Sequence, residues 1–168
     1  MPSLADDLRT APTTLRPFRS DPVRPAALRR AAGRARVPAW RLLMVTDPAT
    51  RLAIRDAHLP HWRAHLAQSG GLEVLAADRP ALEARRLRVA DAFLINLHEA
   101  PVHLVVLARR AGRVRPTVLA DLEAALRAEG FDATPVPLTT GAEPELRELL
   151  DVDDDLVVHG VLVARPRR

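Results

Sequence analysis

Residues 40–50 read WRLLMVTDPAT, and the order of chemistry in this stretch decides the architecture. Trp40–Thr46 is a compact apolar run of strand length with one charge, Arg41. Such a run, without polar alternation, reads as a strand covered on both faces. Asp47-Pro48 then starts a helix. Asp supplies an N-cap oxygen, and proline at the first helical position lacks only an N–H that would have no partner there. The helix is expected over about Ala49–His58, broken at Pro60, resuming to Gln68 and stopped by Gly70-Gly71.

The same alternation of apolar strand and periodic helix continues in both directions. Upstream, Pro25 opens a helix to about Arg36, ended by Pro38. Before it, Thr10–Arg24 carries Pro12, Pro17 and Pro22 and is expected to be extended, preceded by a short helix Leu4–Arg9 capped by Ser3. Downstream, Pro80–His98 has a stripe of Leu82, Leu87, Ala90, Leu94 and Leu97, widened by Val89 and Phe93. A strand at Val102–Leu107 follows, then a helix at Thr117–Ala128 with Gly130 as its C-terminal cap. A short strand at Thr134–Leu138, a helix at Ala142–Leu150, an acidic turn at Val152–Asp155 and a last strand at Leu156–Ala164 complete the series. The expected fold is a single α+β domain over 1–168. Its mostly antiparallel or mixed sheet of about four strands is sandwiched by helices.

Composition narrows the function. The chain has 168 residues, 48% of them hydrophobic, enough for one domain with a core. There is no Cys, which excludes disulfides, thiolate metal sites and cysteine nucleophiles. The sequence pI is about 11.1, yet the formal net charge is only +4. All 25 basic residues are Arg, and neither Tyr nor Cys is present, so little titrates between neutrality and the guanidinium range. With 3% aromatic residues there is no stacking platform for bases, and no nucleic-acid partner is expected. No apolar run approaches the ~18 residues of a membrane span. MPSLADDLRT has two Asp and no apolar stretch, unlike a secretory leader. A soluble cytoplasmic protein is the expectation.

Several segments together resemble the nitroreductase family of flavoproteins. They are Arg9-Thr10, Arg16-Pro17-Phe18, Asp21-Pro22-Val23, the Trp40–Pro48 strand and cap, Ala100-Pro101-Val102 before HLVVL, LRAEGFDATPVPLTTGAEPELRELL, and the closing LVVHGVLVARP. The order and spacing of these segments carry the resemblance over nearly the whole chain. It implies an α+β nitroreductase-like sandwich and FMN as cofactor, with NAD(P)H as reductant. It also implies an electron-poor small-molecule substrate, a nitro compound or a quinone, and a homodimer with flavin at the subunit interface. Carried over residue by residue, Arg9, Thr10 and Arg16 meet the phosphate and ribityl chain. Guanidinium forks and a hydroxyl suit that dianion. Trp40 and the segment Thr139-Thr140 are the further cofactor-facing positions, the latter near the flavin ring. No catalytic acid or base is implied, because flavin chemistry needs only orientation and electrostatics from the protein.

The sequence also departs from the family. The A-P-S-x-x-N-x-Q-P-W loop, whose Asn and Gln help hold the flavin, is replaced by ARVPA before Trp40. The stretch around Arg113–Leu119 and the C-terminus are shortened. These losses keep open an alternative, a flavin-free relative acting as a binding or assembly partner, possible as a heterodimer with a paralogue.

Other constellations carry less. His58, His61 and His65 have helical spacing suited to a zinc site, but Pro60 lies among them, and the expectation is partly exposed histidines with Trp62 packed inward. His98 and His103 are expected at a helix end and a strand start, and His159 as a satisfied core residue. Thr139 or Thr140 is expected to cap the helix that follows. Asp153-Asp154-Asp155 reads as a solvated turn. Nucleotide-cradling glycine patterns and nucleophile elbows are absent.

Overall fold

The computed structural model describes residues 24–34, 40–77, 82–111, 117–136 and 141–167. In chain order these form α1 (Pro25–Arg34), β1 (Trp40–Val45), α2 (Pro48–Ser69), α3 (Gly71–Ala76) and α4 (Leu82–Ile95). A 3-10 turn (Leu97–Glu99), β2 (Val102–Arg109), α5 (Val118–Ala128), β3 (Phe131–Val136), α6 (Ala142–Leu149) and β4 (Leu156–Pro166) follow. The strands make one four-stranded sheet in the order β1-β2-β4-β3, every pair antiparallel.

Strand periodicity divides the core in two. Val102, Leu104 and Val106 of β2, with Leu162 and Ala164 of β4, pack on α1 and α5 through Leu28, Ala31, Leu122 and Leu126. The alternate residues Val105 and Leu107, with Val158, Val161 and Val163, pack on α2, α4 and α6. Both faces are therefore covered, which is why these strands read as continuous apolar runs. In β4, Val158 and Val161 share a face although they are three apart. The register explains it: Val106 pairs with Gly160 and Leu107 with Val158, leaving His159 as the extra residue of a bulge.

Four sequence expectations shift. α2 runs unbroken through Pro60, with Ile54, His58, Trp62 and Leu66 seated in the core on either side. Tertiary burial of that stripe outweighs the one backbone bond a proline removes. Leu82 is 64% exposed, so it lies off the α4 stripe, which is Ala84, Leu87, Ala90, Phe93 and Leu94. Its five-residue offset from Leu87 rotates it well away from that face. β3 begins at Phe131, ahead of Thr134, because Phe131 and Ala133 are buried. β3 is an edge strand, where Pro135 is tolerated. Finally, α3 follows directly after Gly70-Gly71 and was not anticipated. Gly70 takes φ +75° to end α2, and Gly130 takes φ +85° after α5, both glycine-favoured conformations.

Candidate functional site

The site is organised around the start of α6. This helix is fixed to the sheet by Glu143, whose Oε1 accepts a hydrogen bond from the Val158 backbone N–H at 3.0 Å, beside the β4 bulge. On its other side Glu145 Oε1 lies 2.8 Å from His61 Nε2 of α2. Two acidic residues of one helical turn thus hold α6 between the sheet and α2, each near the end of the helix that favours negative charge.

The N-cap of α6 is Gly141, and no side chain caps the helix there. The expectation of a threonine cap is thereby corrected: the cap position falls one residue later. The reason is steric. A Cβ at Gly141 would overlap His61 Nδ1 and Cε1, so only glycine admits the imidazole at this junction. The result is a helix start without a side-chain cap, a backbone with no Cβ, and one imidazole edge beside them. The imidazole itself fills the space that a side chain at position 141 would take, so α2 and the start of α6 are in direct packing contact there.

Of the sequence-based cofactor positions, Arg9, Thr10, Arg16, Thr139 and Thr140 lie outside the described residues. Trp40 opens β1 opposite Ala108, and its side chain is outside what is described. The phosphate end of the expected site is therefore not placed, whereas Gly141, next to Thr139-Thr140, is. A cavity of about 290 Å³ at the other end of α6 is lined by Pro144, Arg147, Glu148, Asp151, Val152 and Asp154. Three carboxylates surround one guanidinium there, and Arg147 is already shared between Glu143 and Asp154, so it does not suit a phosphate.

The histidines separate by environment. Among the described residues no group of three or more His, Asp or Glu is placed to hold a metal ion. His58 is buried in the core instead of partly exposed, His61 binds Glu145, and His65 stacks on Trp62 with ring centroids 5.9 Å apart. Trp62 does pack inward, and its Nε1–H donates to Asp91 Oδ1 at 3.0 Å. His159 is only partly buried at the bulge, not a core residue, and that burial lowers its pKa. Asp153 and Asp154 form an exposed turn met by Arg41 and Arg147.

A second polar group lies at the turn from α4 to β2. Arg51 donates to the carbonyls of His98, at 2.9 Å, and Ala100. His103 Nε2 lies 2.9 Å from Leu97 O, and burial pushes the His103 pKa down to about 4. Neutral His103 therefore donates through Nε2, which leaves Nδ1 as a buried acceptor. These residues clamp the turn. The sequence offered no signal for the clamp beyond the position of the two histidines.

No protein-family model matches the chain. Solved structures do. The iodotyrosine deiodinase bound to FMN and 3-iodo-L-tyrosine aligns with a TM-score of 0.67 and 20% identity, over 98% of this chain and 93% of that one. The FMN-dependent nitroreductase NfnB from Mycobacterium smegmatis, in complex with NADPH, aligns with a TM-score of 0.61 and 16% identity, over 98% and 87%. A BluB-like flavoprotein from Clostridium difficile 630 aligns with a TM-score of 0.61 and 12% identity, over 100% and 91%. At these identities the likeness is one of fold: an α+β sandwich of the nitroreductase type.

Proposed function

We propose that the chain is an FMN-dependent oxidoreductase of the nitroreductase type, reducing an electron-poor small molecule such as a nitro compound or quinone at the expense of NAD(P)H. The observation that carries this reading is an alignment over 98% of the chain with a structure bound to FMN, at a TM-score of 0.67. When bound, FMN supplies the hydride chemistry, and the protein supplies binding, orientation and electrostatics. Arg9 and Arg16 are assigned to the phosphate and Thr10 to the phosphate or ribityl chain. Trp40 and the Thr139-Thr140-Gly141 segment are assigned to the ring. A homodimer and a cytoplasmic location belong to the same reading. Among the described residues no helix is long and apolar enough to cross a membrane.

One feature favours a second reading, a flavin-free relative that pairs with a paralogue. Only residues 35–39 separate α1 from β1, where the Asn- and Gln-bearing loop would stand. Titration of the purified protein with FMN, followed by flavin fluorescence and visible absorbance, separates the two. The first reading expects saturable uptake of one FMN per chain. It also expects Arg9→Ala with Arg16→Ala to weaken binding by roughly 100-fold or more, since hydrogen bonds to charged groups contribute about 1.5–3 kcal/mol each. Colourless protein that takes up no FMN supports the second reading.

A further inference from the structure

We infer that the turn from α4 to β2 is an acid-released latch, tripped by a second proton on the buried His103 ring and independent of the flavin reading above. His103 has no exposed surface. Its Nε2–H donates to the Leu97 carbonyl at 2.9 Å, which ties β2 to the 3-10 turn. From α2, Arg51 ties down the same turn by donating to the carbonyls of His98 and Ala100. Two side chains therefore hold the turn, one from the strand that follows it and one from a helix distant in sequence.

This arrangement accommodates only one proton on the imidazole. His103 Nδ1 is buried and has no hydrogen-bond partner, so a proton added there meets no acceptor. It meets no counter-charge either. Across the sheet, β1 places Val45 and β4 places Val163 directly opposite His103, and both are apolar. α2 contributes the permanently charged Arg51, and the turn contributes His98, whose own Nδ1 is buried without a partner. Among the described residues no carboxylate acts on the ring. Loss of hydration, with repulsion from Arg51 and His98, holds the His103 pKa down to about 4. Opening the turn ends the conflict, because water then reaches both ring nitrogens and the added charge separates from Arg51. The open form titrates near the ordinary value of about 6.5 and binds more protons than the closed form between the two values, so acid drives opening. Little has to be broken. The Glu99 and Ala100 N–H groups bond only within the turn, to Asn96 and Leu97 carbonyls, and such short segments open at the low end of the stability range.

The test is native-state hydrogen exchange on the whole chain, read by NMR at pH 7.5 and 5.0 and corrected for intrinsic exchange. The Glu99 and Ala100 amides report the turn, and Val105 and Val106 report the centre of β2. Turn opening is expected to rise about 30-fold on acidification, the ratio set by midpoints of about 6.5 and 4, with little sensitivity to low urea. Turn amides that match Val105 and Val106 in opening and in urea sensitivity would show that the turn opens only with the whole fold, and would overturn the inference. His103→Gln keeps a donor for the Leu97 carbonyl and takes no second proton, so its rise should stay below about threefold. His98→Gln should keep most of the rise. A full rise in the first variant, or its loss in the second, removes His103 as the trigger. Should His103→Gln not fold, NMR titration of the histidine rings of the wild-type chain decides: His103 neutral at pH 5 in the closed form is expected, and His103 already protonated there overturns the inference.

Discussion

His103 Nε2 stands 2.9 Å from the carbonyl oxygen of Leu97, and the imidazole between them and the core has no exposed surface. Burial is the largest influence on this group and holds its pKa at about 4, against the usual 6.5. Arg51 and His98 push in the same direction, and the Leu97 carbonyl opposes them. A folded pKa below the unfolded one means that the unfolded chain binds more protons between the two values. Stability is therefore fully present above pH 6.5 and falls as pH drops toward 4, by about 3 kcal/mol in total. Urea unfolding at pH 7.5, 5.5 and 4.5 should show this slope, and His103→Gln should flatten it. A His103→Gln protein with an unchanged slope would refute the assignment.

Trp62 and Asp91 join α2 to α4. The indole is fully buried, and its N–H donates to a carboxylate that also meets Arg63 at 3.2 Å. Trp62→Ala removes the largest fully buried side chain among the described residues and should cost about 3–5 kcal/mol. Trp62→Phe keeps much of the volume but withdraws the donor, and about 2 kcal/mol is expected. A double-mutant cycle with Asp91→Ala should recover a coupling of roughly 1 kcal/mol or more in urea unfolding. Additive effects would show that the bond contributes nothing beyond packing.

Glu143 takes the backbone N–H of Val158 where the β4 ladder is disturbed by its extra residue. Glu143→Ala leaves that N–H without an acceptor and should destabilise by about 1–3 kcal/mol, whereas Glu143→Gln retains the acceptor and should cost less than half as much. Hydrogen exchange at Val158 gives the local readout. Faster exchange in the alanine variant alone is the expected pattern, and equal exchange in both would remove Glu143 from this role.

How far the sequence foretold this structure depends on the range of the interaction. The strand at Trp40, the Asp47-Pro48 helix start and the Gly130 cap are local, and each stands within a residue or two of its expected place; Asp47 Oδ2 indeed accepts from the Thr50 N–H at 2.8 Å. The covered sheet followed from the unalternated apolar runs. Features set by distant partners were not legible. Pro60 reads as a helix break until Ile54 and Leu66 are known to be buried on either side of it. The tie from His61 to Gly141 spans two elements 80 residues apart, so neither spacing nor composition announces it. The histidine triplet drew attention by its spacing, and one of its members did reach the candidate site, through a pairing with Glu145 and not through a metal.

Pro60 leads to the last prediction. It lies on the exposed side of α2, inside an otherwise continuous helix of 22 residues. Proline there has no N–H for the carbonyl four residues earlier, and its ring crowds that carbonyl, at a cost of about 3 kcal/mol in a helix interior. Against this, proline restricts the unfolded chain, which offsets about 0.4–1 kcal/mol. Pro60→Ala should thus raise stability by about 2 kcal/mol in urea unfolding without changing the denaturant slope. The size of the gain also measures how α2 meets the core. If a bend at Pro60 were needed to seat both Ile54 and Leu66, a helix without proline would unseat one of them, and the gain would vanish or reverse. A rise near the full amount would establish that the buried stripe on either side of Pro60 tolerates a straight helix, and that burial alone carries the helix across the break.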